Sequence, residues 1–349
     1  MYTEDYMAGN TYRRAYYDGL QEFVQKQLKE AEEKRQSLSR DILSKPGVYR
    51  QQLKEVLGWP LTLEKSNSVP EAKCTFVAKD GEFSIYRMQI DVLGVPFYGI
   101  LFVKEDGKKR PLVISQHGAL GVPEFISDFW EGGSDNYNQM TRRILEHDVN
   151  VFAPQLFLWR KPSHILSEDE ETDFEDTYES KRRILDHAFK QLGGSMVSFE
   201  IYCLTRALDY FQTQDYVDAG KMGMIGMSYG GFYTLYTAAV DPRLKTNLSC
   251  AIYNNRTKFV NYDWAIKNAA RQFTDNEAAM LIYPRGLHIA VGSKDPLFFA
   301  EDAVEEYRKL DALLPKGHEV TFEVFEGEHE FVTNDVALNI FMKELFDTE

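Results

Sequence analysis

The sequence predicts an α/β protein with a mainly parallel β-sheet, and three observations support this fold class. After Gln116, short apolar segments typical of strands alternate with segments of about 10–15 residues typical of helices. Before Gln116, segments rich in β-branched and aromatic residues are separated by turn signals such as "KDGE" and "EDGKK", which predicts antiparallel hairpins. Hydrophobic residues form 44% of the 349-residue chain, enough for one large domain with an appendage or for two domains.

The first 66 residues predict a helical extension. The segment from Thr11 to about Gly58 is rich in Tyr, Leu, Lys, Glu and Gln, and its pattern breaks near "SKPG", so we expect two or three helices. The composition changes to that of strands at Ala72. We therefore place a larger α/β domain at residues 67–349.

Strands and helices alternate through most of this larger domain. The predicted strands are "KCTFVA", "FSIYRMQIDV", "VPFYGILFV", "PLVISQ", "VNVFAPQ", Met222–Met227, "LSCAIYN", "LHIAVGS" and "EVTFEVFE". The predicted helices lie near Tyr137–His147, Phe199–Gln212, Phe232–Val240, Tyr262–Ala279, Ala300–Leu310 and Val336–Phe346. A helix between consecutive strands implies a right-handed crossover, so these strands should be mainly parallel.

The charge balance and the cysteines exclude several classes of partner. Lys plus Arg is 40 and Asp plus Glu is 54, and the formal charge of -14 argues against binding nucleic acid or anionic lipid. Cys74, Cys203 and Cys250 are far apart and odd in number, which predicts neither a disulfide framework nor a zinc motif. The chain begins without an apolar signal-peptide core, and about 18 consecutive apolar residues occur nowhere. We expect a cytoplasmic protein that uses no metal.

The segment "KMGMIGMSYGGF" sets a serine between a predicted strand and a predicted helix. Gly226, Ser228 and Gly230 form G-x-S-x-G, the pattern of a nucleophile elbow, in which a strained backbone lifts the serine hydroxyl clear of the sheet. A side chain at position 226 or 230 would crowd the helix against the strand. The start of the helix supplies N–H groups and a positive dipole end, which suit a developing negative charge. The sequence therefore predicts that Ser228 is a nucleophile.

A nucleophilic serine needs a base and an orienting acid, and in this arrangement they follow in the order serine, acid, histidine. "IAVGSKDPLF" places Asp295 in the loop after an apolar strand, and "FEGEHEF" places His329 in the loop after a later one. Asp263 lies near a predicted helix and is the weaker candidate acid. The other six histidines read as structural or solvated.

The oxyanion hole is expected to use two backbone amides. Tyr229 follows the nucleophile and supplies the first amide. The loop "QHGALG" follows the strand "PLVIS", and we assign the second amide to Ala119, with Gly118 giving the turn. The His117 ring is expected to brace this loop through hydrogen bonds.

From about Ala72 to its end, the chain resembles the α/β-hydrolase fold. The motifs "VISQHGALG", "VDAGKMGMIGMSYGGFYTLYTAAVDPR", "YPRGLHIAVGSKDPLF" and "EGEHEF" resemble the dienelactone-hydrolase-like and acetyl-xylan-esterase-like branch. The resemblance implies hydrolysis of esters or lactones through an acyl-serine, with Ser228, Asp295 and His329 as nucleophile, acid and base. It requires no cofactor and is compatible with a homo-oligomer.

The expected reaction is cleavage of a short acyl ester by a serine esterase. Several relatives in this branch remove acyl groups from carbohydrates, and the missing export signal favours small acylated sugars over polymeric xylan. Two alternatives stay open, a lactone hydrolase and a small serine peptidase of the prolyl-oligopeptidase type.

Substrate specificity is expected from a lid-like insertion at about residues 156–198. Its aromatic part, with Leu156, Phe157 and Trp159, should line the pocket, whereas its acidic part "SEDEETDFEDTYES" reads as solvated surface. Arg256, Asp263 and Trp264 follow another strand end, so they are candidates for substrate binding, with salt-bridge and packing roles as the alternative.

Overall fold

The computed structural model describes residues 1–64, 67–129, 135–157, 178–259 and 263–347. Its central element is a nine-stranded sheet with the strand order β1-β2-β3-β5-β4-β6-β7-β8-β9. The strands are β1 (Ala72–Asp80), β2 (Phe83–Val92), β3 (Val95–Lys104), β4 (Arg110–Gln116), β5 (Asn150–Pro154), β6 (Val217–Met227), β7 (Leu244–Cys250), β8 (Gly286–Gly292) and β9 (Thr321–Phe325).

Helices connect these strands and precede them. They are α1 (Asn10–Ser44), α2 (Pro46–Leu57), α3 (Pro123–Ile126), α4 (Met140–Leu145), α5 (Tyr178–Gln191), α6 (Met196–Phe211), α7 (Tyr229–Val240), α8 (Ala269–Gln272), α9 (Asp275–Ile282), α10 (Ala300–Leu313) and α11 (Val336–Phe346). Short 3-10 helices occur at Tyr6–Gly9, Asp135–Tyr137 and Arg256–Lys258.

The sheet is antiparallel at one side and parallel in its remainder, as the sequence predicts. Strand β1 pairs with β2, β2 with β3, and β3 with β5 in antiparallel register. Strand β4 pairs in parallel with both β5 and β6, and β7, β8 and β9 continue the parallel part. The loops that follow β4, β6, β8 and β9 therefore meet at the carboxyl edge of the parallel strands, where open α/β sheets bind ligands.

Hydrophobic clusters cover both faces of the sheet. Consecutive residues of β6 point to opposite faces, so Met224 belongs to the cluster that contains Leu235 of α7, and Ile225 belongs to the cluster that contains Phe341 of α11. The middle of the sheet, with β4, β5, β7 and β8 almost fully buried, is thus a layer between two helical layers, whereas β1 at the edge is mostly exposed. This is the reason that the middle strands read as nearly continuous apolar runs.

Some element boundaries differ from the sequence prediction. The helix expected near Tyr137–His147 is the shorter α4, and the helical segment expected at Tyr262–Ala279 is divided into α8 and α9. Strand β7 begins at Leu244, before the predicted segment "LSCAIYN", and ends at Cys250, inside that segment. It ends there because Ala251 has a φ of 54° and turns the chain out of the sheet.

The two N-terminal helices break at Pro46, the first residue of α2, close to where "SKPG" predicts the break. The second half of α1 packs on α8 and α9. There Arg35 forms an ion pair of 3.0 Å with Glu277, and Ser39 donates a hydrogen bond of 3.2 Å to the same carboxylate. The division of the chain at residues 66 and 67 remains a prediction.

The insertion predicted at about residues 156–198 is described only in part. Residues 158–177, which include Trp159, lie outside the described residues. Helix α5 follows them, and α6 begins with a capping box in which Ser195 and Ser198 exchange hydrogen bonds. Among the helices that are described, none combines the length and apolar composition needed to cross a membrane.

Candidate active site

Ser228 stands at the turn between β6 and α7. Its φ of 56° and ψ of -125° lie in a region that side-chain-bearing residues rarely adopt, so the backbone at this position is strained. Its amide donates a hydrogen bond of 2.9 Å to the Cys250 carbonyl, and its carbonyl accepts the Phe232 amide, which opens the helical hydrogen-bond series. The sequence-predicted elbow is present, with its hydroxyl at the carboxyl edge of the sheet.

The two glycines of the elbow allow the helix to lie against the sheet. A Cβ atom at Gly226 would lie 2.2 Å from the Gly230 carbonyl oxygen, and one at Gly230 would lie 2.1 Å from the Gln116 carbonyl oxygen. Both contacts are with backbone, which cannot move aside as a flexible side chain can. Hydrogen is therefore the substituent that fits at both positions.

The His329 side chain joins Ser228 to Asp295. His329 Nε2 lies 2.9 Å from Ser228 Oγ, and His329 Nδ1 lies 2.8 Å from Asp295 Oδ2. Because a carboxylate only accepts hydrogen bonds, the histidine proton lies on Nδ1 and Nε2 accepts from the serine hydroxyl. The structure thus brings all three predicted side chains into one hydrogen-bonded series.

Asp295 is buried, and both of its carboxylate oxygens are occupied. Oδ1 accepts hydrogen bonds from the amides of Leu297 and Phe298, at 2.8 and 3.0 Å, while Oδ2 faces His329. The two amides come from the turn that "KDPLF" makes after β8. They hold the carboxylate in one orientation and thereby determine which oxygen meets the imidazole.

The loop after β4 passes directly over the serine. A Cβ atom at Gly118 would lie 2.9 Å from Ser228 Cβ and 3.5 Å from Ser228 Oγ, so only glycine allows this approach. The Gly118 amide donates a hydrogen bond of 3.0 Å to the Tyr137 hydroxyl. Ala119 follows in this loop, and Tyr229 is the first residue of α7.

His117 braces this loop, as the sequence predicts. Its Nδ1 lies 2.7 Å from the Gly118 carbonyl, to which it donates, and its Nε2 accepts the Leu156 amide at 2.9 Å. Burial lowers the pKa of the His117 imidazole to about 4, so the ring is neutral at neutral pH. A neutral ring can both donate and accept, which this geometry requires.

Residues in and just before α4 hold the loop that carries His329. Asn138 donates hydrogen bonds from its side chain to the Glu330 carboxylate at 2.8 Å and to the Phe331 carbonyl at 2.6 Å. Arg143 donates to the Val332 carbonyl at 2.6 Å. Sequence reasoning does not identify these residues, because their partners lie almost 200 positions away in the chain.

A buried ionic network lies beside the elbow and centres on Arg182 of α5. The guanidinium donates to the Asp263 carboxylate at 2.7 Å and to both oxygens of Glu200, at 2.8 and 3.0 Å. Asp263 also accepts the Tyr229 hydroxyl at 2.7 Å. Burial and the Asp263 carboxylate raise the pKa of Tyr229 well above its usual range, so the phenol stays protonated.

The network connects the insertion to the residue that follows the nucleophile. Arg182 also donates to the Phe157 carbonyl at 3.0 Å, at the point where the insertion leaves β5. Sequence analysis does not single out Arg182 or Glu200. A glutamate within the apolar segment "MVSFEIYCL" of α6 is the signal that could have revealed a buried ion pair.

The structure places the four substrate-binding candidates differently. Trp159 lies outside the described residues. Arg256 is buried, donates to Asp275 at 3.0 Å and stacks over the Trp264 ring at 4.9 Å, which favours its salt-bridge and packing alternative. Asp263 binds Arg182 and Tyr229, and the carboxylate hydrogen-bonded to His329 Nδ1 is that of Asp295.

Trp264 packs against the elbow residue Tyr229. Its ring centroid lies 4.5 Å from that of Tyr229, but its side chain is 2% exposed. Its indole N–H donates to the Phe259 carbonyl at 3.0 Å. Trp264 is therefore a buried packing partner of the Tyr229 ring.

The sheet, the elbow and the hydrogen-bonded side chains define an α/β-hydrolase fold. Within the part of the chain described, no group of three or more His, Cys, Asp or Glu side chains is arranged to hold a metal ion. Residues 101–339 match the dienelactone hydrolase family. Because the match covers more than half of the sequence, the chain belongs to the dienelactone hydrolase family.

Individual proteins are similar to this chain in sequence or in structure. The Bacillus subtilis (strain 168) protein named "Putative hydrolase YtaP" is 32% identical over 136 residues, which cover 36% of this chain and 46% of that protein. The alignment therefore spans less than half the length of this relative.

Two solved structures share the fold at low sequence identity. A glucuronoyl esterase from Solibacter usitatus has a TM-score of 0.59 at 14% identity and covers 85% of this chain and 92% of its own. Acetyl xylan esterase 1 from Thermoanaerobacterium sp. JW/SL YS485 has a TM-score of 0.53 at 14% identity and covers 87% of this chain and 94% of its own. The predicted α/β-hydrolase fold and the resemblance to this branch are confirmed.

Proposed function

We propose that the protein is a serine-dependent carboxylic ester hydrolase that acts through an acyl-serine. The observation that carries the proposal is the hydrogen-bonded series from Asp295 through His329 to Ser228 Oγ, with heavy-atom distances of 2.8 and 2.9 Å. These distances lie within the range for proton transfer between a nucleophile and its base. Membership of a hydrolase family supports the same conclusion.

In the proposed reaction, Ser228 Oγ attacks the ester carbonyl while His329 Nε2 takes its proton. Asp295 keeps the imidazole in the tautomer that can accept this proton and stabilises the imidazolium that forms. The amides of Tyr229 and Ala119 donate to the oxyanion, and His329 then protonates the departing alcohol. A water molecule repeats the sequence on the acyl-serine and releases the acid.

Two features support the proposed oxyanion hole. The loop containing Gly118 lies against Ser228, so the following Ala119 amide is within the immediate surroundings of the nucleophile. The positive end of the α7 dipole lies at Ser228 and favours a negative charge there. Removing one donor of such a site typically costs about 2.7–4 kcal/mol of transition-state stabilisation.

Short acyl esters, including acyl esters of carbohydrates, are the first substrates to test. The structures that share this fold are named as glucuronoyl and acetyl xylan esterases, although the low identity shows the fold alone. Lactone hydrolysis is the second candidate, and the family match favours it. Both reactions use the same attack on an ester carbonyl. In a lactone, however, the leaving alcohol stays covalently attached to the acyl group, whereas in an open ester it departs as a separate molecule.

A fluorophosphonate probe and p-nitrophenyl acetate test the proposal together. The wild-type protein and the exposed control variant Ser37→Ala should be labelled by the probe, and Ser228→Ala should not. Ser228→Ala should also lower kcat by about 10⁴-fold or more with the fold intact. Labelling that survives in Ser228→Ala, or near-normal turnover by this variant, would show that another group is the nucleophile.

Substrate panels separate the candidate reactions. Faster hydrolysis of acetylated sugars than of lactones would favour the esterase, and the reverse order would favour the lactone hydrolase. Efficient cleavage of aminoacyl p-nitroanilides would instead indicate a peptidase. All three outcomes are compatible with the same nucleophile, so this panel tests the substrate class independently of the mechanism.

A further inference from the structure

The first half of α1 exposes an unusual amount of apolar surface. Six large side chains in this part of the helix are between 45% and 80% exposed: Tyr12, Tyr16, Tyr17, Leu20, Phe23 and Val24. The side-chain hydrogen bonds and ion pairs described for residues 10–26 join near neighbours in the sequence. The side chain of Gln27, just after this part of the helix, accepts a hydrogen bond from Arg271 in the folded body of the protein.

Part of this surface forms a regular stripe, which we define as Tyr12, Tyr16, Gly19 and Phe23. The spacing of four, three and four residues places these positions on one line along the helix, as in the seam of a two-helix coiled coil. The three aromatic side chains of the α1 stripe are 80%, 70% and 61% exposed. A helix of this kind normally buries such a seam against another helix.

Gly19 lies at the middle of the α1 stripe. A glycine inside a helix is less favourable than alanine by about 1 kcal/mol. Apart from the neighbouring backbone of α1 itself, no described atom lies within 4 Å of the position where its Cβ would be, so packing within one chain does not explain the glycine. A glycine at the crossing point of two helices lets their axes approach more closely.

We propose that the α1 stripe is the pairing surface for a second copy of this chain, with the two α1 helices antiparallel and crossing at Gly19. A two-fold axis through this crossing makes the contact self-complementary. It places Phe23 of each copy between Tyr12 and Tyr16 of the other. Lys26, the next position of the same seam, then lies against Tyr12 of the second copy as a cation–π pair.

The available area fits a weak, reversible dimer. With about 200 Å² for an aromatic side chain, the three exposed aromatic side chains of the α1 stripe offer about 400 Å² per copy, so two copies bury about 800 Å². This value lies below that of permanent interfaces, so the dimer should depend on protein concentration. Residues 10–26 span about 25 Å at 1.5 Å per residue, and an antiparallel overlap leaves the two folded bodies at opposite ends of the helix pair.

The charges favour a protein partner over a membrane surface. Residues 1–26 contain three basic residues (Arg13, Arg14 and Lys26) against four acidic ones (Glu4, Asp5, Asp18 and Glu22), for a net charge of -1. The whole chain carries -14, so the projecting helix is the nearly neutral part of an acidic protein. It would gain no attraction from anionic lipid, and repulsion between two copies is weakest there.

Sedimentation or light scattering from about 1 to 100 µM protein tests the proposal. The wild type should have twice the 40.3 kDa mass of one chain at the upper concentrations. Phe23→Glu should reduce the mass to one chain, whereas Gln25→Glu, the matched change on the opposite side of the same helix, should leave the dimer intact. Thermal unfolding of both variants checks that the fold is retained.

Three outcomes would overturn the proposal. The first is a wild type that stays monomeric throughout this range, and the second is a dimer that Phe23→Glu does not weaken. The third is a monomer that binds vesicles of phosphatidylcholine and phosphatidylserine through this helix, which would make the stripe a membrane surface.

Cross-linking tests the antiparallel arrangement. In a background with the exposed Cys74 changed to serine, Tyr12→Cys and Lys26→Cys are prepared as separate chains. An equimolar mixture should form a covalent dimer on oxidation, and neither variant alone should do so. Covalent dimers in each variant alone, without the mixed product, would show a parallel pair and contradict the crossing proposed at Gly19.

Discussion

Asp295→Asn provides a sharp test of how His329 is oriented. In the wild type, Asp295 Oδ1 accepts two amides and Oδ2 accepts His329 Nδ1. In the variant, the side-chain oxygen must stay on the two amides, because the opposite rotamer would set an NH₂ group against two N–H donors. The NH₂ group then donates to Nδ1 and moves the histidine proton to Nε2, which faces Ser228 Oγ at 2.9 Å.

This tautomer cannot accept the serine proton, so the expected loss is large. A wrong tautomer in such an arrangement lowers kcat by about 10⁴-fold, which corresponds to about 5 kcal/mol of activation free energy. Steady-state hydrolysis of p-nitrophenyl acetate measures it. Asp263→Asn is the matched comparator, since Asp263 binds Arg182 and Tyr229. A folded Asp295→Asn within tenfold of wild-type kcat, or a greater loss in Asp263→Asn, would show that Asp295 does not set the His329 tautomer.

Three further predictions follow from the same structure. Arg182→Met leaves Glu200 and Asp263 buried without their cation and should lower the free energy of unfolding in urea by about 3–5 kcal/mol. The exposed control Arg183→Met should change it little. Equal effects of the two variants would contradict the buried network. His117 has a pKa of about 4 when folded and about 6.5 when unfolded. Its contribution to the free energy of unfolding is therefore complete above pH 6.5, and about 3 kcal/mol of it is lost by pH 4. The stability difference between His117→Gln and the wild type should therefore shrink over that interval, and a pH-independent difference would show that His117 is not buried as a neutral ring. Gly230→Ala should lower kcat by about 100-fold, because a methyl group at this position would displace α7 from Gln116. Gly47 has open space around it, so Gly47→Ala should leave activity unchanged. A fully active Gly230→Ala would contradict the close packing at Gly230.

The sequence predicts much of the fold because the relevant signals are local. Alternating apolar segments and helices specify the parallel part of the sheet, and the G-x-S-x-G spacing specifies the elbow, since both depend on consecutive residues. The order of Ser228, Asp295 and His329 also follows from strand ends, because the carboxyl ends of parallel strands meet at one edge. Element boundaries are less well predicted, as the short α4 and the early end of β7 show.

Candidates for substrate binding are the weaker part of the sequence prediction. Arg256 follows a strand end, as a pocket residue could, but its guanidinium is held by Asp275 and by the Trp264 ring. A position in the sequence indicates which edge of the sheet a residue occupies. It does not indicate whether the side chain already has a partner, because the partner lies on another element.

The order of strands and helices, the elbow and the three polar side chains that follow strand ends can all be read from the sequence. The pairing of buried charges depends on how the elements pack. Arg182 meets Glu200, 18 positions away, and Asp263, 81 positions away, and these contacts connect the insertion to Tyr229. The physical reason is that backbone conformation responds to neighbouring residues, whereas a buried charge selects its partner by distance and desolvation after the elements have packed.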